Sequence, residues 1–307
     1  MKLIILGCGS SMTMTGEIQS SMVVSCGKHN YLIDCADGTL YKMKEMNVSL
    51  SHIDAIFISH MHSDHTGGML NVLGTMQLSN RTNPLKVYAP QEYFDLWMPV
   101  FNRLIGEFRT FKAEYIPIDT TQNKVIFEDN RVTVTSIPLM HSEECSGFLF
   151  REKEKLPNIK IEEINKYGIP LSYINTIKTT EKWAWASDDG TIIPRSHFIV
   201  EPEPPQSFAY CSDTMYFPML STYVKGTDLI YHEASFSDSD YELAARYMHS
   251  TGSDAARTAR DAKAKKLLLG HISARYKDSE EIVGSAKEIF PNTELAKSST
   301  VYEISEL

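Results

Sequence analysis

The segment SHMHSDHTGG, Ser59 to Gly68, places His60, His62, Asp64 and His65 within six positions. Imidazole and carboxylate side chains without cysteine suit zinc or a similar divalent cation, in an open site rather than a closed structural one. In an extended turn, His60 and His62 point the same way and can reach one ion. Asp64 and His65 begin the next turn and face a second position. Further polar residues stand just past other apolar runs: His141 after VTSIPLM, Asp213 after FAYCS, His232 and Glu233 after TDLIY, and His271 after LLLG. Four local ligands with distant histidine and aspartate partners suggest two ions.

The elements that must position these residues are legible as alternating strands and helices. KLIILG, SMVVSC and NYLIDC are short β-rich runs, DGTLYKMKEMN has helical spacing, and IDAIFIS is the next strand. MLNVLGTMQL reads as a helix, LKVYA as a strand, and a helix begins near Pro90. Two or three strands are expected between Glu114 and Leu139. SFAYCSDT, TDLIYHEASF and KKLLLGHIS each contain a strand. DYELAARYM and SDAARTARDAKA read as helices, the second with Ser253 as its N-cap. Interleaving of this kind argues for α/β layers with helices outside the sheets. In such folds the strand ends at one edge of a sheet gather the active site. Residues 151–205 break the pattern with Lys, Glu, Asn and Pro, and read as an inserted arm.

The chain has 307 residues, is 42% hydrophobic and carries a net charge of −9. An acidic protein has no global attraction for a polyanion, so contact with nucleic acid must be local or come through bound metal. Leu3 to Leu6 is too short an apolar run for a secretory signal, and no stretch approaches the ~20 residues of a membrane span. A soluble, cytoplasmic protein is expected. Cys8, Cys26, Cys35, Cys145 and Cys211 lack CxxC spacing and read as buried reduced thiols. The GCG at Gly7 to Gly9 has no GxGxxG continuation and reads as a tight turn. His29, His52 and His197 read as structural or exposed.

HMHSDH followed by TGG resembles the HxHxDH motif of the metallo-β-lactamase superfamily. Within it the chain is similar to the ribonuclease Z family of tRNA 3′-processing endonucleases. The likeness runs over nearly the whole chain: LGCGSS, LIDCADGT, PLMHS, CSDT, HEASF, MHSTGSDAA and LGHISARY. HEASF, HST and GHISARY are the more specific motifs. The resemblance implies a single domain over 1–307 with the arm at about 151–205. Its fold would be an αββα sandwich of two mixed sheets, helices outside and two metals at one edge. His60, His62 and His141 would hold a first zinc; Asp64, His65 and His271 would hold a second; Asp213 would bridge. Asp64 would be the general base and His249 the general acid, oriented by Glu233. A homodimer acting on precursor tRNA is implied.

Two segments depart from the family. Its short bacterial members carry proline, lysine and arginine in the loop after the first strand, where this chain has Thr13, Thr15 and Glu17. The arm keeps YGIP but replaces the glycine- and proline-rich run that usually follows. Over 151–205 eight Lys or Arg face nine Asp or Glu, whereas an electrostatic clamp on tRNA calls for a basic excess. Tyr167, Tyr173, Trp183 and Trp185 could stack on bases or pack a core. Two substrate readings stay open: precursor tRNA, or small nucleotide diesters and other RNA. A relative that has lost its metals is disfavoured, because all seven ligand positions are filled.

Overall fold

The computed structural model describes residues 1–12, 16–106, 110–187 and 189–307. The chain divides into two compact units, Met1–Glu152 with Gln206–Leu307, and Lys153–Pro205.

The larger unit is built on two seven-stranded sheets. One has the order Thr300–Glu303, Lys2–Gly7, Ser21–Cys26, His29–Ile33, Ile53–Phe57, Leu85–Pro90 and Ala113–Ile118. Its pairing is antiparallel as far as His29–Ile33 and parallel beyond. The other has the order Thr293–Leu295, Lys266–Gly270, Leu229–Glu233, Ser207–Cys211, Ser146–Glu152, Val132–Pro138 and Val125–Glu128. Its first four strands are parallel and the rest antiparallel. Strands so uniformly apolar are buried on both faces. Alternation along Lys2–Gly7 sends Leu3 and Ile5 between the sheets and Leu6 to the outer face. Helices Met69–Leu78 and Gln91–Leu104 cover one outer face, and Gly252–Ala262 and Glu280–Ile289 the other. The layers are helix, sheet, sheet, helix, as expected from the resemblance.

Phe57 sits at the centre of the inter-sheet core, stacked on Tyr88 at 4.9 Å and edge-on or tilted against Phe127, Phe148 and Phe150 at 5.4–5.8 Å. It stands three residues before His60, so the same strand anchors core and site. Phe57→Ala should destabilise the protein by about 3–5 kcal/mol, read as a lower denaturant midpoint with unchanged slope.

Three local expectations need correction. The helix over 252–262 is capped by Thr251, not Ser253. The Thr251 side chain accepts from the Asp254 amide and Asp254 accepts from the Thr251 amide, a reciprocal box. Ser253 lies in the first turn and donates to Asp238. Gly7 is the last residue of a strand rather than part of a tight turn. A Cβ there would come within 2.3 Å of the Gln19 carbonyl oxygen, so close backbone approach requires the glycine. The strand expected to end at Tyr231 runs on to Glu233.

In the smaller unit, Asn158–Ile159 pairs with Ile199–Val200 and Ala184–Ala186 with Ile192–Pro194. Ile164, Ile169, Ile177, Ile193, Phe198 and Ile199 form its own core. Trp183 meets Phe198 edge-on at 5.6 Å, and Tyr167 does the same, so both rings pack this core; Tyr173 is 43% exposed. Among the described residues, no helix is long and apolar enough to cross a membrane.

Candidate metal centre

Four strands, three with a parallel neighbour and one paired antiparallel, bring their C-terminal ends to one edge, where ligands gather in α/β folds. His60 to His65 follow Ile53–Phe57; His141 follows Val132–Pro138; Asp213 follows Ser207–Cys211; His271 follows Lys266–Gly270. The histidine segment turns through a short helix, Ser63–Thr66. It is locked to the neighbouring strand end by Cys35 donating to the His65 carbonyl (2.7 Å) and Gly68 to the Cys35 carbonyl (2.8 Å). A Cβ on Gly68 would meet the Ala36 carbonyl oxygen at 2.2 Å, which explains a glycine there.

Two groups of donors result. His60, His62, His141 and Asp213 form one; Asp64, His65, His271 and Asp213 the other; within each group the donor atoms lie within 4.8 Å of one another. Asp213 belongs to both. Its Oδ2 lies 3.7 Å from His60 Nε2, 3.9 Å from His141 Nε2 and 3.6 Å from His65 Nε2, and its Oδ1 lies 3.5 Å from His271 Nε2. Four ligands at ~2.0–2.2 Å around a tetrahedral ion stand about 3.4 Å from one another, the scale observed. His65 Nε2 and Asp213 Oδ1 are buried without a hydrogen-bond partner. Buried polar atoms are rarely left so. This donor set fits two divalent cations.

The electrostatics agree. Burial, helped by the charge of His65, holds His60 well below its ordinary pKa and keeps a lone pair available. Burial lowers His141 too. Burial opposes the charged forms of Asp213 and His65, but their attraction outweighs it, pulling Asp213 well down and His65 well up. A divalent cation would take the place of the His65 proton. Asp64 is raised by burial but more strongly lowered by its hydrogen bond from His271 (3.2 Å), ending at about 2.

A third group, Glu233, His249 and His271, is of another kind. Glu233 is fully buried and accepts from four donors: the amides of Thr214 (3.1 Å), Ser235 (2.9 Å) and Ser250 (2.9 Å), and His249 Nδ1 (2.9 Å). A carboxylate so occupied orients a histidine rather than a cation. His249 Nε2 is thereby left for the cleft. That cleft, about 350 Å³, is lined by His62, His141, His249, Phe236 and Arg275 among others. Burial lowers His249, yet the Glu233 charge and hydrogen bond push it up to about 9. His232 does not join the site. Strand alternation sends it the other way, where Nδ1 donates to the Glu233 carbonyl at 2.6 Å and burial lowers it. Among the described residues, His29, His52 and His197 belong to none of these groups.

Sequence reasoning missed the residues that hold the histidines. Asp34 is fully buried and accepts from His65 Nδ1 (2.7 Å), Tyr210 Oη (2.6 Å), Ser59 Oγ (2.9 Å) and the Ser59 amide (2.8 Å), joining the two sheets. The signal was present: an acid directly after the apolar run YLI. Ser235 donates to the His271 carbonyl (2.9 Å), so its hydroxyl oxygen accepts from His271 Nδ1 (2.9 Å) and turns His271 Nε2 inward. Asp34, Met248 and His271 all have φ of 52–57°, a region costing a non-glycine about 1–3 kcal/mol; such strain clusters at functional sites. Asp34→Asn should weaken metal binding by about 10–100-fold without removing a ligand. Competition against a chelating dye measures it, and unchanged affinity would refute the role.

A four-layer sandwich with two overlapping histidine–carboxylate groups at one edge defines a metallo-β-lactamase fold protein. The solved structures agree on the fold. Human tRNase Z, short form, superposes with a TM-score of 0.69 at 21% identity over 99% of both chains. The metallo-β-lactamase fold protein YhfI of Bacillus subtilis gives 0.67 at 19% identity over 98% of both. Ribonuclease Z of Bacteroides fragilis is 35% identical over 296 residues, covering 96% of each chain. Residues 1–157 match the family model described as Anti-Pycsar protein Apyc1. The chain belongs to the ribonuclease Z family and, over its first half, also to the family of that model.

Proposed function

We propose that the chain is a phosphodiesterase that removes 3′ trailers from precursor tRNA. The observation that carries this reading is Asp213, shared between two groups of metal-ligating side chains. His60, His62, His141 and Asp213 would hold one divalent cation, and Asp64, His65, His271 and Asp213 the other; the donor set favours zinc. Bound there, such a pair activates water near neutral pH and offsets charge on phosphate oxygens.

The chain's own residues do the rest. Asp64 stays ionised over the working range and stands ready to take the proton of the attacking water. The bond from phosphorus to the 3′ oxygen of the tRNA breaks, and that oxygen is a poor leaving group unless protonated. His249, charged at neutral pH and held by Glu233, donates the proton from Nε2. Arg275 at the cleft meets the phosphate backbone. The products are a 3′-hydroxyl on the tRNA and a 5′-phosphate on the trailer. Lys153–Pro205 acts as the inserted arm, and a cytoplasmic homodimer, which the resemblance implies, completes the reading.

Glu17 and the arm's lack of basic excess favour a second reading, small nucleotide diesters. Thr13 and Thr15 lie outside the described residues; Glu17 is exposed. Precursor tRNA assayed beside bis(p-nitrophenyl) phosphate separates the two. Trailer removal at the 3′ end supports the first; hydrolysis of the small diester alone supports the second; no hydrolysis refutes both.

Affinity for tRNA should depend weakly on salt, since each neutralised phosphate adds only about −0.9 (duplex) or −0.7 (single strand) to the log–log slope. Glu17→Arg should steepen that slope. A steep slope in the native protein would contradict the expectation, as would an unchanged slope in Glu17→Arg.

A further inference from the structure

Beside the metal cleft lies a second cavity of about 340 Å³, within the size range of small-ligand pockets. Ser10 and Met12 line both, so the cavity adjoins the place where a phosphodiester would be cut. Its floor is apolar: Cys8, Ile18, Ile272, Leu295 and Ala296. Burial raises the Cys8 thiol to about 11, which leaves it protonated and inert. Polar groups stand at the rim. Glu17 accepts from the Ser298 hydroxyl, which occupies one of the roughly four acceptor positions of a carboxylate. Lys297 completes the rim.

This arrangement rejects phosphate at Glu17 and rejects any charge on the floor. It suits a flat group with apolar faces, N–H donors on one edge and a carbonyl beside them. We propose that the cavity is a nucleobase subsite for a nucleotide flanking the scissile phosphate, with guanine preferred. Guanine places N1–H and its amino group side by side, a match for a carboxylate, with a carbonyl next to them for Lys297. Adenine and cytosine offer an amino group without that adjacent N–H. Uracil offers a single ring N–H on that edge. The subsite rests on the phosphodiesterase reading, because the metal cleft fixes the phosphate to which the base is attached.

The test uses the metal-reconstituted full chain, with bis(p-nitrophenyl) phosphate as reporter and the four nucleoside 5′-monophosphates as inhibitors. GMP should inhibit about tenfold or more tightly than UMP, the scale of a bidentate base contact. Glu17→Gln presents one acceptor and one donor, and should bring the GMP-to-UMP ratio close to one. The ratio is taken within each variant, so a change in turnover or folded fraction cancels. Equal inhibition by all four nucleotides in the native protein overturns the subsite, as does a ratio that survives in Glu17→Gln. Failure to hydrolyse the reporter counts against the phosphodiesterase reading instead. Calorimetric titration of the same nucleotides then decides the cavity alone: a GMP preference that Glu17→Gln abolishes sustains it, and equal or absent binding ends it.

Discussion

His249→Ala should lower turnover on an RNA substrate by about 10²–10⁴-fold, the usual cost of losing a general acid, while both metal equivalents stay bound. The residue stands in neither of the groups that share Asp213. Its Nδ1 is committed to Glu233 at 2.9 Å, which leaves Nε2 to donate. A substrate with a nitrophenolate leaving group needs no proton and should be far less affected. Equal losses on both substrates, or loss of metal, would show that His249 does something else. The pH dependence gives an independent readout. The Glu233 carboxylate raises His249 from its ordinary 6.5 to about 9. The competent form is the protonated one, so turnover is full below that pKa and falls as pH rises through it. Nearby cations oppose the shift, which makes about 9 the upper bound of the alkaline limb. Glu233→Gln removes the charge that raises His249, and the limb should move to lower pH. A limb that stays in place would mean that another group donates.

Asp213→Ala should take the protein from two bound metal equivalents to one or none, and activity to background. Asp213 is the one side chain common to both groups, 97% shielded, with histidine nitrogens 3.5–3.9 Å from its two oxygens. Its negative charge offsets cations that burial would otherwise make costly. Removing one partner of a buried ionic set costs about 3–5 kcal/mol, or about 10²–10⁴ in affinity. Elemental analysis after zinc reconstitution measures the stoichiometry, and metal-dependent thermal shift measures the affinity. Retention of two tightly held equivalents would refute the bridging position. Native protein that never exceeds one equivalent would refute the two-cation reading.

Most strands and helices of the larger unit, and the local half of the site, were legible in the sequence; the helix Glu280–Ile289 and the strands Thr293–Leu295 and Thr300–Glu303 were not read from it. SHMHSDH keeps four of its donor side chains together because a short turn after a strand leaves them no other place to go. Strand-end positions flagged His141, Asp213 and His271 for a physical reason too: a polar residue directly after an apolar run marks where the chain leaves the core. Their division between two ions, and the role of His249, came from resemblance. Which oxygen of Asp213 faces which histidine emerges from the folded chain alone, because that depends on strands far apart in sequence closing on one edge. The fold also separated the two halves of the HE pair, since strand alternation turns Glu233 inward and His232 away once the strand is seen to reach Glu233. What Asp34 and Ser235 hold was hidden for the same reason. Their partners, Tyr210 for one and His271 for the other, lie 176 and 36 residues away, and a hydrogen bond across that distance leaves no periodicity in the chain. The Thr251 cap shows the limit at short range: Thr251 and Ser253 both bear the hydroxyl a cap needs, and the reciprocal bonds with Asp254 select Thr251.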